Sequence, residues 1–173
     1  APVEFSGVQV PSGSTLSAGN VVETMNMADD LFRIGHAGLC VGIGRAALKA
    51  SIARVSGAND ELCREQSVQW MLADMATETE AARLLTWYAA SRTAPSEMRE
   101  AAPMARLLAA DAAVRGSRSA VQIFGPAGNE RGSGIERLYR DAKAMEIYHG
   151  AVEVQRLAVA GELLPRLVKD INP

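Results

Sequence analysis

Aromatic residues are scarce in this chain: Phe, Trp and Tyr make up 5% of 173 residues, although 48% are hydrophobic. A core short of rings must be filled by Ala, Leu, Val, Ile and Met, and that set favours closely packed helices over a sheet sandwich. Cysteine is nearly absent. Cys40 and Cys63 sit in helix-like segments with no C-x-x-C spacing, which argues for packed thiols in a reducing compartment. The two histidines, His36 and His149, stand far apart, so no imidazole pair has metal-ligand spacing. A formal charge of -2 removes any global pull towards nucleic acid or a membrane surface. No apolar run approaches the ~20 residues that span a bilayer, and no signal peptide is recognisable. A cytoplasmic chain without nucleic-acid, membrane or metal partners is the expectation. The spacing yields no Ser-His-Asp or Cys-His nucleophile either.

What is present reads as helix. The length suits one domain that buries roughly 70% of its unfolded surface. Val3 to Pro11 alternates apolar and polar residues and predicts one half-buried strand, which needs a partner from outside the segment. A loop follows to Gly19. From about Asn20 to Val55 the spacing turns helical, with Met27, Leu31, Ile34, Leu39, Ile43 and Leu48 approximating an apolar stripe. Gly35, Gly38, Gly42 and Gly44 interrupt it, each at about 1 kcal/mol relative to alanine. Such a cluster marks either the close approach of another backbone or flat ligand, or tight helix–helix packing; both readings stay open here. A turn at 56–60 places Asn59 or Asp60 to cap the next helix.

That second helix is expected from about Glu61 to Ser91, with Leu62, Val68, Met71, Leu72, Met75, Leu84 and Leu85 inward and Asp74, Glu78, Glu80 and Arg83 wet. A third runs from about Glu97 to Phe124, kinked at Pro103. After a glycine-rich loop, shorter helices are expected at about Ile135–Tyr148 and Ala151–Leu164, with Pro165 ending the last. The fold class is all-α, an up-and-down bundle with one N-terminal strand.

Gly125-Pro126-Ala127-Gly128 lacks the Lys-Ser/Thr of a phosphate loop and follows a helix, so it reads as a helix-terminating turn. Arg131, Arg137, Arg140 and Lys143 are interleaved with Glu136 and Asp141, which indicates a salt-bridged surface.

One stretch carries more. Glu136-Arg-Leu-Tyr-Arg-Asp-Ala-Lys143, then Ile147-Tyr148-His149-Gly150 and Val154-Gln155-Arg156-Leu157, resembles the signature that ends the C-terminal helical domain of acyl-CoA dehydrogenases. Four further segments match in order: the V-x-F-x-x-V-x-V-P opening, Asp30-Leu31-Phe32-Arg33, Gln66 to Met75, and Ala120-Val-Gln-Ile-Phe-Gly125. The resemblance implies that residues 1–18 end a middle β-domain and its linker, and that 19–173 form the helical bundle. It implies FAD as cofactor, with Gln66, Gln122, Gly125 and Glu153 on it. It implies an acyl-CoA or carrier-bound acyl thioester, contacted by Asp30, Arg33, Tyr148 and Gly150. Homo- or hetero-oligomers through the helical domain, in which neighbouring subunits complete each flavin site, are implied as well.

Such enzymes oxidise a Cα–Cβ bond: a carboxylate takes the α-proton and the β-hydride goes to flavin N5. This chain departs from the pattern at four places. His149 stands where the family has its glutamate base; neutral imidazole can take a proton but brings no negative charge. Phe32 stands where a minority of members carry the base. The R-x-x-F-G turn that grips a flavin pyrophosphate becomes Val55, Ala58 and Asn59, with Arg54 one residue away, about 100° round a helix. Ala151 replaces a flavin-bonding threonine. The expectation is an acyl-CoA dehydrogenase-like chain, with His149 at the base position, that needs a partner chain. The alternatives are a repurposed enzyme on this scaffold and a non-catalytic assembly subunit. The rest of the pocket is expected from another segment or polypeptide.

Overall fold

The computed structural model describes residues 3–14, 20–57 and 61–164. Their helices are α1 (Val21–Gly57), α2 (Glu61–Arg64), α3 (Gln66–Ala90), α4 (Pro95–Phe124), α5 (Ile135–Ile147) and α6 (Val152–Leu163), with 3-10 turns at Ser12–Ser14 and Gly125–Asn129. Helix α4 is the axis of the bundle, packed against α1, α3, α5 and α6. Alanines make this possible. Ala101, Ala105, Ala109, Ala110, Ala112 and Ala113 of α4 are buried in one cluster with Ala37 of α1 and Ala82 and Ala89 of α3. Small side chains let helices meet near the close end of the usual range of about 8–10 Å between axes. A second cluster, around Ala47, Val68, Met75, Ala120, Ile123 and Ile135, closes the other end.

That seam corrects only part of the stripe predicted on α1, since Ile34, Ile43 and Leu48 do pack against the two clusters. The buried face of α1 is Asp30, His36, Ala37, Cys40, Val41, Gly44, Ala47, Ser51 and Val55. Met27, Leu31 and Leu39 lie on the exposed side, Leu39 at 60%. Leu84 of α3 is likewise exposed, while Val68 and Met75 are buried as expected. Of the four glycines that interrupt the predicted stripe, only Gly44 is a packing point, where an added Cβ would stand 3.0 Å from Thr79 Oγ1; Gly35, Gly38 and Gly42 face open space.

The predicted strand is absent: residues 3–10 carry no regular structure, no strand occurs among the described residues, and Phe5 is 80% exposed. Alternation supplies a face but not an edge to pair with, and Gly7 at φ +65° breaks the extended run. The single helix expected over 61–91 is split at Glu65 (ψ 113°), where Gln69 Nε2 donates to the Cys63 carbonyl at 2.8 Å. Helix α4 starts at Pro95, suited to a first helical position, and stays helical through Pro103. Gly128 tucks under the end of α4, with Val121 O 2.7 Å from where a Cβ would sit, as a helix-terminating turn requires. The basic group of α5 is paired as expected, Arg140 with Glu136 at 2.7 Å and Arg137 with Asp141 at 4.0 Å.

Neither Cys40 nor Cys63 is in a disulfide, and burial pushes the Cys40 thiol up to about 11. No helix among the described residues is long and apolar enough to cross a membrane, and no group of three metal-ligating side chains occurs among them. The expected caps Asn59 and Asp60, the altered turn at Ala58 and Asn59, and Pro165 lie outside the described residues.

Candidate active site

The corner between α5 and α6 concentrates the chemistry. Helix α5 ends at Tyr148, whose backbone is extended, and His149 follows at φ +55° and Gly150 at φ +91°. A left-handed conformation costs a residue with a Cβ roughly 1–2 kcal/mol, so something must hold it. Arg106 does. Its guanidinium is wholly buried, and Nη2 donates to the carbonyls of Met145 (2.9 Å), Tyr148 (2.9 Å) and Gly150 (3.1 Å). Among the described residues no carboxylate bonds it, and the negative end of the α5 dipole faces it instead. Its Nε and Nη1 are buried without hydrogen-bond partners in the structure.

His36 buttresses the same turn. Its Nε2 lies 3.0 Å from the Met145 carbonyl, which can only accept, so Nε2 carries the proton, and Nδ1 is buried without a partner. Burial first, and the Arg106 charge second, hold its pKa below the ordinary 6.5. The Tyr148 ring stacks on His36 with centroids 5.8 Å apart.

His149 itself reaches back to α1. Its Nε2 is 2.7 Å from Asp29 Oδ1, and its ring lies against Phe32 with centroids 3.8 Å apart. Arg33 then ties the corner together: 2.6 Å to Asp29 Oδ2, 2.6 Å to Asp30 Oδ1, and Nε to Gln155 Oε1 of α6 at 3.0 Å. Asp30 is buried, and burial raises its pKa against the pull of Arg33. A groove of about 260 Å³ opens on Asp29, Asp30, Arg33 and Arg99, with Leu157 and Gly161 of α6 across from them.

The structure thus brings together His149, Tyr148, Gly150, Asp30 and Arg33. Gln122 lies elsewhere, in a groove of about 440 Å³ between α3 and α4 with Arg115, Arg118 and Ser119. Arg115 is engaged by Glu78 at 3.0 Å. The same groove is also lined by the carboxylates of Asp74 and Glu78, so its guanidinium, amide and hydroxyl donors stand beside two acidic side chains. Gln66 and Gly125 are at the same end of the bundle, where Val68 and Ile123 share a cluster, and Gly125 turns at φ +59°. Glu153 stands apart, exposed on the first turn of α6 with Arg156 3.9 Å away. Arg54 is exposed and lies over the Phe124 ring at 6.0 Å, whereas Val55 is buried.

Residues 22–164 match the family model described as the acyl-CoA dehydrogenase C-terminal domain. The chain belongs to the acyl-CoA dehydrogenase family. It is 41% identical over 139 residues to the short-chain specific acyl-CoA dehydrogenase of mouse mitochondria, a match covering 78% of this chain and 34% of the mouse protein. An acyl-CoA dehydrogenase of Bacillus subtilis (strain 168) is 37% identical over 166 residues, covering 92% of this chain and 44% of that one. The structure of butyryl-CoA dehydrogenase from Megasphaera elsdenii superposes with a TM-score of 0.73 at 35% identity, over 82% of this chain and 38% of that. The chain therefore spans between a third and a half of the length of these acyl-CoA dehydrogenases.

Sequence reasoning missed Arg106, His36 and Asp29 as members of the corner. Arg106 had a visible signal: a cation on the face of α4 that otherwise reads Ala102, Ala109, Ala113. Asp29 had none, because its partner is 120 residues away.

Proposed function

We propose that this chain is the helical part of a flavin-dependent dehydrogenase that desaturates an acyl thioester between Cα and Cβ. The observation that carries this reading is the held turn: His149, at the position of the family's base, is fixed in a left-handed conformation by Arg106 and aligned with Asp29 and Phe32 of α1. A strained, well-anchored polar residue is what a proton-transfer site needs. His149 takes the α-proton of the thioester. Tyr148 and Gly150 frame it, and Asp30 with Arg33 fix the α1 wall. FAD, when bound, supplies the acceptor for the β-hydride. Gln122 and Arg118, with Gln66 and Gly125 at the same end, would hold its phosphate and purine parts; Glu153 and Ala151 are placed by family resemblance alone.

The two sets of residues occupy different ends of the bundle, which supports a site completed by a second polypeptide, alike or unlike. Exposed Leu39, Trp70 and Trp87 supply apolar surface for such contacts. We assign residues 1–18 to the end of a preceding β-domain, the remainder to the helical domain, and the activity to cytoplasmic lipid metabolism with an acyl-CoA or carrier-bound substrate.

The test is flavin content and acyl-CoA oxidation of the natively purified complex. Bound flavin that is bleached anaerobically by an acyl-CoA is expected; His149→Ala should abolish bleaching and leave flavin content intact. A colourless complex would sink the reading in favour of an assembly subunit. His149→Glu restores the carboxylate, and renewed or increased oxidation would show the rest of the pocket to be competent.

A further inference from the structure

The two stations at which this family carries its base, matched here by His149 and Phe32, face each other across 3.8 Å, and neither holds a carboxylate. A carboxylate is nevertheless present. Asp29, one turn before Arg33 on α1, puts Oδ1 2.7 Å from His149 Nε2 while Arg33 holds Oδ2 at 2.6 Å. Arg33 is anchored in turn by Gln155 at 3.0 Å. The chain of contacts Gln155–Arg33–Asp29–His149 leaves the imidazole little freedom, and Phe32 covers one of its faces.

We propose that Asp29 is the positioning residue of a carboxylate–imidazole pair, and that Nδ1 of His149 is the proton-accepting atom. The proposal rests on the thioester-dehydrogenase reading above. A carboxylate oxygen accepts from Nε2–H, so the pair fixes the tautomer and leaves the Nδ1 lone pair for chemistry, the division of labour that carboxylates impose on histidines elsewhere. It also returns to the site the negative charge that imidazole lacks. In the step, the Cα–H bond breaks, its electron pair passes into the thioester enolate, and the proton goes to Nδ1. The resulting imidazolium is stabilised by Asp29. FAD, when bound, would be the oxidant that accepts the β-hydrogen with its electron pair, so that the enolate electrons close the Cα–Cβ double bond.

Two measurements test this. In protein labelled with [15N]histidine, two-bond proton–nitrogen correlations at alkaline pH should show His149 as one Nε2–H tautomer, assigned by its loss in His149→Gln. Asp29→Ala should give a tautomer mixture with the helical circular dichroism unchanged. A mixed or Nδ1–H tautomer in the wild type, or an unchanged spectrum in Asp29→Ala, overturns the pair whether or not the complex turns over. In the flavin-loaded complex, Asp29→Asn keeps an acceptor oxygen but no charge. It should lower kcat about tenfold or more with KM nearly unchanged, and an unchanged kcat overturns the role. A wild-type complex with the pure tautomer but no thioester oxidation sinks the dehydrogenase reading and leaves the pair standing.

Discussion

Arg106 Nη2 donates to the carbonyl oxygens on both sides of His149, at 2.9 Å to Tyr148 and 3.1 Å to Gly150. The left-handed turn is thus fastened from beneath by a side chain with no exposure to water. Stability and site geometry therefore depend on the same guanidinium.

Replacing it with an apolar residue tests that dependence. Arg106→Met leaves the Tyr148 and Gly150 carbonyls without their guanidinium donor, the Met145 carbonyl keeping His36, and should lower stability by on the order of 2 kcal/mol. Chemical denaturation reads the loss, and Arg106→Lys should recover part of it.

Acidification should act through His36. Its folded-state pKa lies below 6.5, because burial and the Arg106 charge oppose a second positive charge. The unfolded chain then binds the proton more readily. The His36 contribution is fully present above 6.5 and is lost as pH falls towards the lower folded value. A His36→Gln variant, which keeps a donor for the Met145 carbonyl, should show a flatter stability profile across that window in urea titrations.

Asp30 and Arg33 form a buried pair whose members differ in replaceability. Arg33→Met strands a carboxylate that is only 2% exposed and should cost about 3–5 kcal/mol. Adding Asp30→Asn should return a substantial part, so thermal midpoints of the single and double variants would be distinctly non-additive. Additive shifts would show that the pair is not coupled.

The α1 glycines should divide by environment. Gly38→Ala meets no atom within 4 Å and should gain about 1 kcal/mol from helix propensity. Gly44→Ala presses a methyl on Thr79, with Oγ1 at 3.0 Å and Cγ2 at 3.4 Å, both on a buried side chain. There, overpacking of about 1–3 kcal/mol outweighs the same gain. Opposite shifts in Tm are expected.

The end of α4 was readable at Gly125, which acts through local backbone geometry, whereas its start, expected near Glu97, lies at Pro95. The inward face of α1 was legible only in part. A seam built on Ala37, Ala47 and Gly44 does not stand out by size in an alanine-rich chain, and the larger Leu31 and Leu39 drew attention to the wrong side. Likewise the Val3–Pro11 alternation was genuine, but strand formation is decided by a neighbour that no local pattern contains. At the corner, His149, Tyr148, Gly150, Asp30 and Arg33 were accessible because each lies inside a recognisable run. The contacts that give them meaning, Arg106 to Tyr148 and Asp29 to His149, join residues 42 and 120 positions apart, and only the folded chain reveals them.

The Phe32 and His149 rings lie against each other with centroids 3.8 Å apart, so each covers a face of the other. Replacing the imidazole with a flexible carboxylate, as in His149→Glu, therefore also uncovers one face of the Phe32 ring.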